Sequence, residues 1–285
     1  MSMSLGLRVR QMFLVLLGVA ALVGGTTPAL AGEAGAARHG RTYLALGDSV
    51  PFGYYGGAQA LYPDPDNFVG YPDLVADEFD LRLLNASCPG ETTDSFIDPT
   101  AQSNGCENSL TSAIGYRDLY PLHLHYKGSQ LHYAAETLDD GPRVRLVTLQ
   151  LGANDGFICL ATGACATPAG LAALTAHVQK NLDLILSTLR DEGEYRGRIA
   201  VVTYYALDYT DPAGVAFIQA VNQALIAAAE ANKAVVADGF GAFRSRALAA
   251  GGSSIAAGLV RPNDIHPTAK GHRLLARAVE QAVGD

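Results

Sequence analysis

The stretch Tyr43-Leu44-Ala45-Leu46-Gly47-Asp48-Ser49 runs four apolar residues straight into a Gly-Asp-Ser turn. A short apolar run closed by turn residues reads as a strand covered on both faces, the usual condition of strands in a parallel sheet. A Ser placed where such a strand turns into a helix presents its hydroxyl at the sheet edge, beside the free amides of a helix start. Taken alone, Gly-Asp-Ser is a common turn tripeptide, so its weight depends on its surroundings.

Working outward, four more apolar runs read as strands: Arg82 to Asn85, Val144 to Leu151, Ile199 to Tyr204 and Ala234 to Ala237. Helix patterns separate them. Thr167-Pro168 is a cap followed by Pro at the first helical position, and Leu171, Leu174, Val178, Leu182, Ile185 and Leu189 then recur at three- and four-residue steps. Asp211-Pro212 opens a second helix in the same way, carried by Phe217, Val221, Leu225 and Ala228. Tyr71 to Phe79 gives a shorter one, and Thr268 caps a last helix through Leu274, Leu275 and Val279. Alternating β and α elements predict a three-layer α/β/α sandwich around a mostly parallel, five-stranded sheet.

Two segments break the alternation. Residues 51–70 are rich in Gly, Tyr, Pro and Asp, and residues 96–140 hold many Tyr and His. Long connections in a compact domain usually fold locally or serve function, and these are expected to wall a substrate cleft over the carboxyl ends of the strands.

The chain has 285 residues, 49% hydrophobic and 17% charged, a globular composition. Arg8 and Arg10 precede an apolar run from Met12 to Val23, and Ala29-Leu30-Ala31 supplies small residues for cleavage. That order predicts a signal peptide over 1–31, cut after Ala31, ahead of a single domain over 32–285 that is secreted. The apolar run is shorter than the roughly 20 residues a spanning helix needs, and no other stretch reads as long enough, so no stable membrane insertion is expected after cleavage. The formal charge is −8, and loss of the leader would remove two Arg and no acid. An acidic chain without a basic run argues against nucleic acid and against docking on anionic lipid. Four Cys in an oxidising compartment favour disulfides, and sequence neighbours suggest Cys88–Cys106 and Cys159–Cys165, although four Cys permit three pairings.

Four groups could carry chemistry. Ser49 follows the first strand. Gly90, in Cys88-Pro89-Gly90-Glu91-Thr92, follows the second and could turn its N–H toward a shared centre; a plain Pro-Gly turn is the bland alternative. Asn154, in Gly152-Ala153-Asn154-Asp155, follows the third and suits an oxyanion donor or a cap. His266, in Asp264-Ile265-His266-Pro267, lies just before the last helix. Asp48 and Asp155 read as turn and cap residues. His123, His125 and His132 lack an acid or Cys to complete a metal set, and Asp64 with Asp66 lacks a calcium-loop pattern, so no metal is expected.

These blocks, in this order, resemble the SGNH (or GDSL) hydrolase family, from about Tyr43 to the C-terminal helix. No G-x-S-x-G occurs, which weighs against the α/β-hydrolase fold. The resemblance implies a flavodoxin-like sheet, a nucleophile at Ser49, a base at His266, and an oxyanion hole from the Ser49 N–H, the Gly90 N–H and the Asn154 amide, with no cofactor. In much of the family the acid stands three residues before the His; here that residue is Asn263, and Asp264 is one closer. Asp264 is the favoured third member, with a backbone carbonyl or the more remote Asp238 as alternatives. The implied activity is a secreted esterase or lipase acting on small-molecule or lipid acyl esters. A carbohydrate O-acetyl esterase is the nearest alternative, and an inactive binding protein on the same scaffold comes from a different class. Oligomeric state is not legible.

Overall fold

A computed structural model describes residues 41–284. The expected leader, residues 1–31, lies outside them. The strands are β1 (Thr42–Gly47), β2 (Arg82–Asn85), β3 (Val144–Gln150), β4 (Arg198–Val202) and β5 (Val235–Ala237). The helices are α1 (Ser49–Phe52), α2 (Tyr71–Glu78), α3 (Thr93–Ile97), α4 (Tyr116–Leu119), α5 (Gln130–Asp139), α6 (Ala153–Ala161), α7 (Pro168–Asp191), α8 (Pro212–Ala231), α9 (Gly239–Ala249) and α10 (Ala269–Gly284).

All five strands pair in parallel, in the order β2-β1-β3-β4-β5. From β1 the chain steps outward to β2, then returns to β3 on the other side of β1. That reversal opens a crevice beyond the carboxyl ends of β1 and β3, where sheets of this order bind ligands. Helices α7 and α8 pack together on one face with α3 and α5, while α2, α9 and α10 cover the other.

The strand runs behave as their apolarity predicts: β1 is buried throughout, and Leu146, Val147 and Leu149 are buried on β3. The stripe on α7 is buried at Leu174, Val178, Leu182, Ile185 and Leu189, each contributing about 1.5–3 kcal/mol by leaving water. The caps hold as well: Thr167 Oγ1 accepts from Gly170 N at 3.1 Å, and the Asp211 carboxylate accepts from Ala213 N at 3.0 Å. Such a cap contributes about 1 kcal/mol.

Two expectations need correction. Helix α8 is long and apolar enough to cross a membrane by length and composition, contrary to the reading that no stretch beyond the leader is. It packs instead on α7, β4 and β5, as a flank of the sheet. The inserted segments also do not wall the cleft beside Ser49. Their aromatic residues turn on one another, with Phe52, Tyr62, Phe68 and Tyr116 forming a separate buried cluster. The Phe52 ring lies 5.6 Å from both Phe68 and Tyr116, so these rings find better partners in each other than in a solvent-filled groove.

Both disulfides are present, Cys88–Cys106 and Cys159–Cys165. By chain-entropy reasoning the first, across 18 residues, contributes about 3 kcal/mol and the second, across 6, about 2. They are consistent with an oxidising, extracellular setting.

Candidate active site

Strand β1 ends in Gly47, whose φ of +133° and close approach to β3 exclude a side chain: a Cβ there would lie 2.0 Å from Gln150 O. The chain then turns, and Asp48 caps α1 by accepting from Val50 N at 3.0 Å. Ser49 is thus the first residue of a helical turn, where its own N–H has no intrahelical acceptor. The second Asp48 oxygen accepts from the Tyr204 hydroxyl at 2.5 Å. Burial pushes Asp48 up to about 7, against those two hydrogen bonds. The cap role read for Asp48 therefore stands, with Tyr204 as an added partner.

His266 Nε2 lies 3.0 Å from Ser49 Oγ, and its Nδ1 lies 2.6 Å from Asp264 Oδ1. With the Nδ1 proton donated to Asp264, Nε2 is left to accept from the serine. Asp264 Oδ2 accepts from Gly56 N at 2.9 Å, and Oδ1 also accepts from Ile265 N at 2.7 Å. Burial pushes the Asp264 carboxyl up, but the His266 charge and these hydrogen bonds outweigh it and hold the group below its ordinary value. Burial lowers His266 more than Asp264 raises it, and Arg261 lowers it further, so the ring is neutral at neutral pH.

The acid sits two residues before the His, and the residue ahead of it, Asn263, takes a left-handed φ of +59°, a conformation Asn tolerates better than most residues. Asp238 is elsewhere: it caps α9, accepting from Gly241 N at 2.9 Å. Tyr205 donates to Ile265 O at 2.6 Å, and the Tyr54 ring meets His266 edge-on at 5.1 Å, so the histidine loop is held from two sides.

Asn154, at the start of α6, donates one Nδ2 proton to Glu91 O at 2.9 Å, and its Oδ1 accepts from Asn104 Nδ2 at 2.9 Å. Those bonds fix which end of the amide is the donor and leave one N–H uncommitted. Gly90 has φ +87° and lies against Asn104 and Gly105, where a Cβ would sit 2.7 Å from backbone. Among the described residues neither the Ser49 nor the Gly90 N–H meets a backbone acceptor. The Cys88–Cys106 bond ties this loop to the strap behind it.

Beneath these groups lies a buried brace. Gln130 on α5 accepts from Gly47 N at 2.6 Å, donates to Gly47 O at 3.1 Å, and donates to Glu91 Oε2 at 3.0 Å. Burial pushes Glu91 up to about 8, against hydrogen bonds from Ser95 and Gln130. Asp155 accepts from Thr93 N, and burial pushes it up to about 6; it holds the start of α3 rather than capping its own turn. Sequence reasoning missed Gln130, Glu91, Asn104, Gly56 and Tyr205. Two had an available signal: Tyr205 follows a strand end like the site blocks, and Glu91 stands next to Gly90 within one of them.

The cleft next to Ser49 has a volume of about 300 Å³, at the lower end of small-molecule sites. Ser49, Asn154 and His266 line it together with apolar side chains from α6 (Phe157, Leu160), the β4–α8 loop (Leu207), α8 (Phe217, Ile218) and Ile265. Gly90 is not part of this lining. Among the described residues, the three near one another that could suit a metal are Cys88, Glu91 and Cys106, but both sulfurs are joined in a disulfide and cannot ligate. His123 Nε2 donates to Phe52 O at 3.0 Å, and His132 pairs with exposed Glu136.

A doubly wound sheet with a Ser–His–Asp chain at its switch point is the arrangement of a hydrolase. The chain belongs to the GDSL-like lipase/acylhydrolase family, whose profile matches residues 45–274. No curated protein matches it. Among solved structures it is similar to a protein from Parabacteroides merdae described as a GDSL-like lipase, with 13% identity, a TM-score of 0.56, and coverage of 87% of this chain and 97% of that one. An acetylxylan esterase from Geobacillus stearothermophilus gives 16% identity, a TM-score of 0.54, and coverage of 87% and 97%. At such identities the likeness speaks for the fold.

Proposed function

We propose that the chain is an exported serine esterase that cleaves carboxylic esters with an apolar acyl chain, through an acyl-enzyme on Ser49. On this reading one hydrolase domain over residues 32–285 follows a leader cut after Ala31. The observation that carries it is the hydrogen-bonded series from Ser49 Oγ to His266 Nε2 at 3.0 Å and from His266 Nδ1 to Asp264 at 2.6 Å, opening on an apolar cleft.

In the first half-reaction Ser49 Oγ attacks the ester carbonyl carbon while His266 takes its proton. Asp264 keeps the ring in the right tautomer and stabilises the imidazolium. On this reading the negative oxygen of the tetrahedral intermediate is met by the Ser49 N–H, the Gly90 N–H and the free Asn154 N–H, since such an intermediate needs fixed donors as its charge develops. Collapse expels the alcohol, which receives the proton from His266. Water then repeats the sequence and frees Ser49. Nucleophile, base and donors are all protein groups, so no step requires a cofactor.

The apolar walls at Phe157, Leu160, Phe217 and Ile218 favour an acyl chain over the acetyl group of a carbohydrate ester, which would leave most of the cleft wet. The test is hydrolysis of p-nitrophenyl esters of graded chain length by the wild type and Ser49→Ala. Ser49-dependent turnover that improves from acetyl to medium chains is expected. Turnover on acetyl alone would move the assignment to deacetylation. No Ser49-dependent turnover, with no labelling by a fluorophosphonate, would leave the inactive binding protein.

A further inference from the structure

The opposite end of the sheet carries a different chemistry. Each strand begins beside a cation: Arg41 precedes β1, Arg82 opens β2, Arg143 and Arg145 flank the start of β3, Arg196 and Arg198 that of β4, and Lys233 lies just before β5. All of these residues are exposed. They are scattered in sequence, so no basic run announces them, and the parallel topology brings them to one edge.

Three clefts of about 610, 520 and 410 Å³ follow one another along that edge as a segmented groove whose neighbouring parts share walls. The first and second share Arg196 and Arg198, and the second and third share Arg145 and Arg198. Seven cations line the groove against two acids, Asp191 and Glu194. The chain as a whole has the reverse balance, 28 acids to 20 Lys and Arg. A chance sample of this surface would hold more acids than bases.

Arg190 has a structural task, and Arg196 donates to its carbonyl at 2.8 Å. Arg190 donates to the carbonyls of Asn232, Tyr195, Gly197 and Lys233, shaping the groove floor. The other six, Arg41, Arg143, Arg145, Arg196, Arg198 and Lys233, form no ion pair among the described residues. Like charges gathered without counter-charges raise the potential of a groove and attract an anion to it. Guanidinium groups in particular present planar forks that match phosphate oxygens.

We infer that this groove, at the amino-terminal edge of the sheet, is a docking site for a linear phosphate-bearing polymer. The arrangement favours a chain over a membrane, since the cations line three clefts in succession along one edge, which an extended polymer can touch in turn. Orientation favours it too. The catalytic cleft lies at the far ends of the strands, roughly 23 Å away at about 3.3 Å for each of the seven residues of β3. Docking on a bilayer through the groove would point Ser49 away from the lipid. A polymer held there tethers the enzyme and leaves its catalytic mouth open to solution. The aromatic lining is limited to half-buried Phe79 and buried Tyr195, which offers no platform for stacking bases, so recognition is by charge.

The test measures binding of the full protein to long-chain inorganic polyphosphate by fluorescence polarisation, at 20 and 200 mM NaCl. Arg145→Glu/Arg198→Glu is compared with Arg244→Glu/Arg246→Glu, an equal charge change at exposed positions on α9. Flotation with phosphatidylcholine vesicles containing phosphatidylglycerol runs alongside. The expected result is binding that weakens tenfold or more with the added salt. It should also weaken tenfold or more in the groove variant and less than threefold in the α9 variant. Hydrolysis of a p-nitrophenyl ester should be unchanged in both. No binding at low salt overturns the inference, as does an equal loss in both variants. Vesicle binding without polyphosphate binding overturns it in favour of a membrane.

Discussion

Gln130 is 83 residues from Gly47 in sequence, yet its side-chain amide pairs with both backbone groups of that glycine, at 2.6 and 3.1 Å. The end of the nucleophile strand is thereby closed as if by one more β-strand residue, and the same amide reaches Glu91 next to Gly90. Gln130→Ala strips partners from two buried backbone groups and a buried carboxyl. A stability loss of about 2–4 kcal/mol is expected by urea denaturation. The kcat for a p-nitrophenyl ester should fall at least tenfold with KM within threefold. A variant with normal kcat would limit the brace to folding.

Asp264→Asn removes the group that orients His266. In the serine-protease case this change costs about 10⁴ in kcat, and here a fall of 10²–10⁴ is expected. Asn154→Ala removes one oxyanion donor and should lower kcat about 10²–10³ with little change in KM. Unaltered turnover in either variant would remove that residue from the mechanism.

The pH profile carries the environment of the base. His266 must be neutral to act, and its pKa lies below the ordinary value of 6.5 because burial outweighs Asp264. The rising limb of kcat/KM should therefore have its midpoint below pH 6.5. Asp264→Asn takes away the influence that raises the ring, so its residual activity should show a midpoint lower still. A wild-type midpoint above 7 would contradict this electrostatic account.

Glu91 makes stability depend on pH in the opposite sense to an ordinary paired carboxylate. Its value rises from 4.5 to about 8 in the folded protein, chiefly through burial. The folded chain therefore retains a proton that the unfolded chain releases, and stability from this group declines as pH climbs from about 4.5 to about 8. Glu91→Gln keeps the shape and abolishes the titration. Its Tm relative to wild type should thus be higher at pH 8 than at pH 5. An equal difference at both values would show that Glu91 does not titrate in this range.

Phe217 stands on α8 in the wall of the cleft, with Gly156 of α6 close behind it: a Cβ at Gly156 would lie 3.0 Å from the ring. Phe217→Ala should open the cleft and shift the preferred p-nitrophenyl ester toward longer chains. An unmoved optimum would place the acyl chain elsewhere.

The strand runs, the helix caps and the blocks that hold the candidate site residues were legible for one physical reason: each is local. An apolar run, a Thr-Pro cap or a Gly-Asp-Ser turn carries its information within a few residues. The supports were not legible because each joins distant segments. Gln130 reaches Gly47 from a segment without strand or helix regularity in its earlier part, and Gly56 holds Asp264 across 208 residues. The cleft walls were misassigned for a related reason. An aromatic-rich insertion can line a groove or bury its rings in each other, and composition is the same in both cases. The groove of cations was hidden because each strand start contributes only one or two.

The two-residue interval from Asp264 to His266 bears on how such sites are searched for. A motif counts residues, whereas catalysis depends on ångströms and directions. Here the acid reaches the ring from two positions away instead of three, with Asp264 Oδ1 2.6 Å from His266 Nδ1. A pattern that insists on the longer interval would discard this sequence for lacking its carboxylate. The quantity to hold fixed in a search is the geometry delivered, with the interval free to vary.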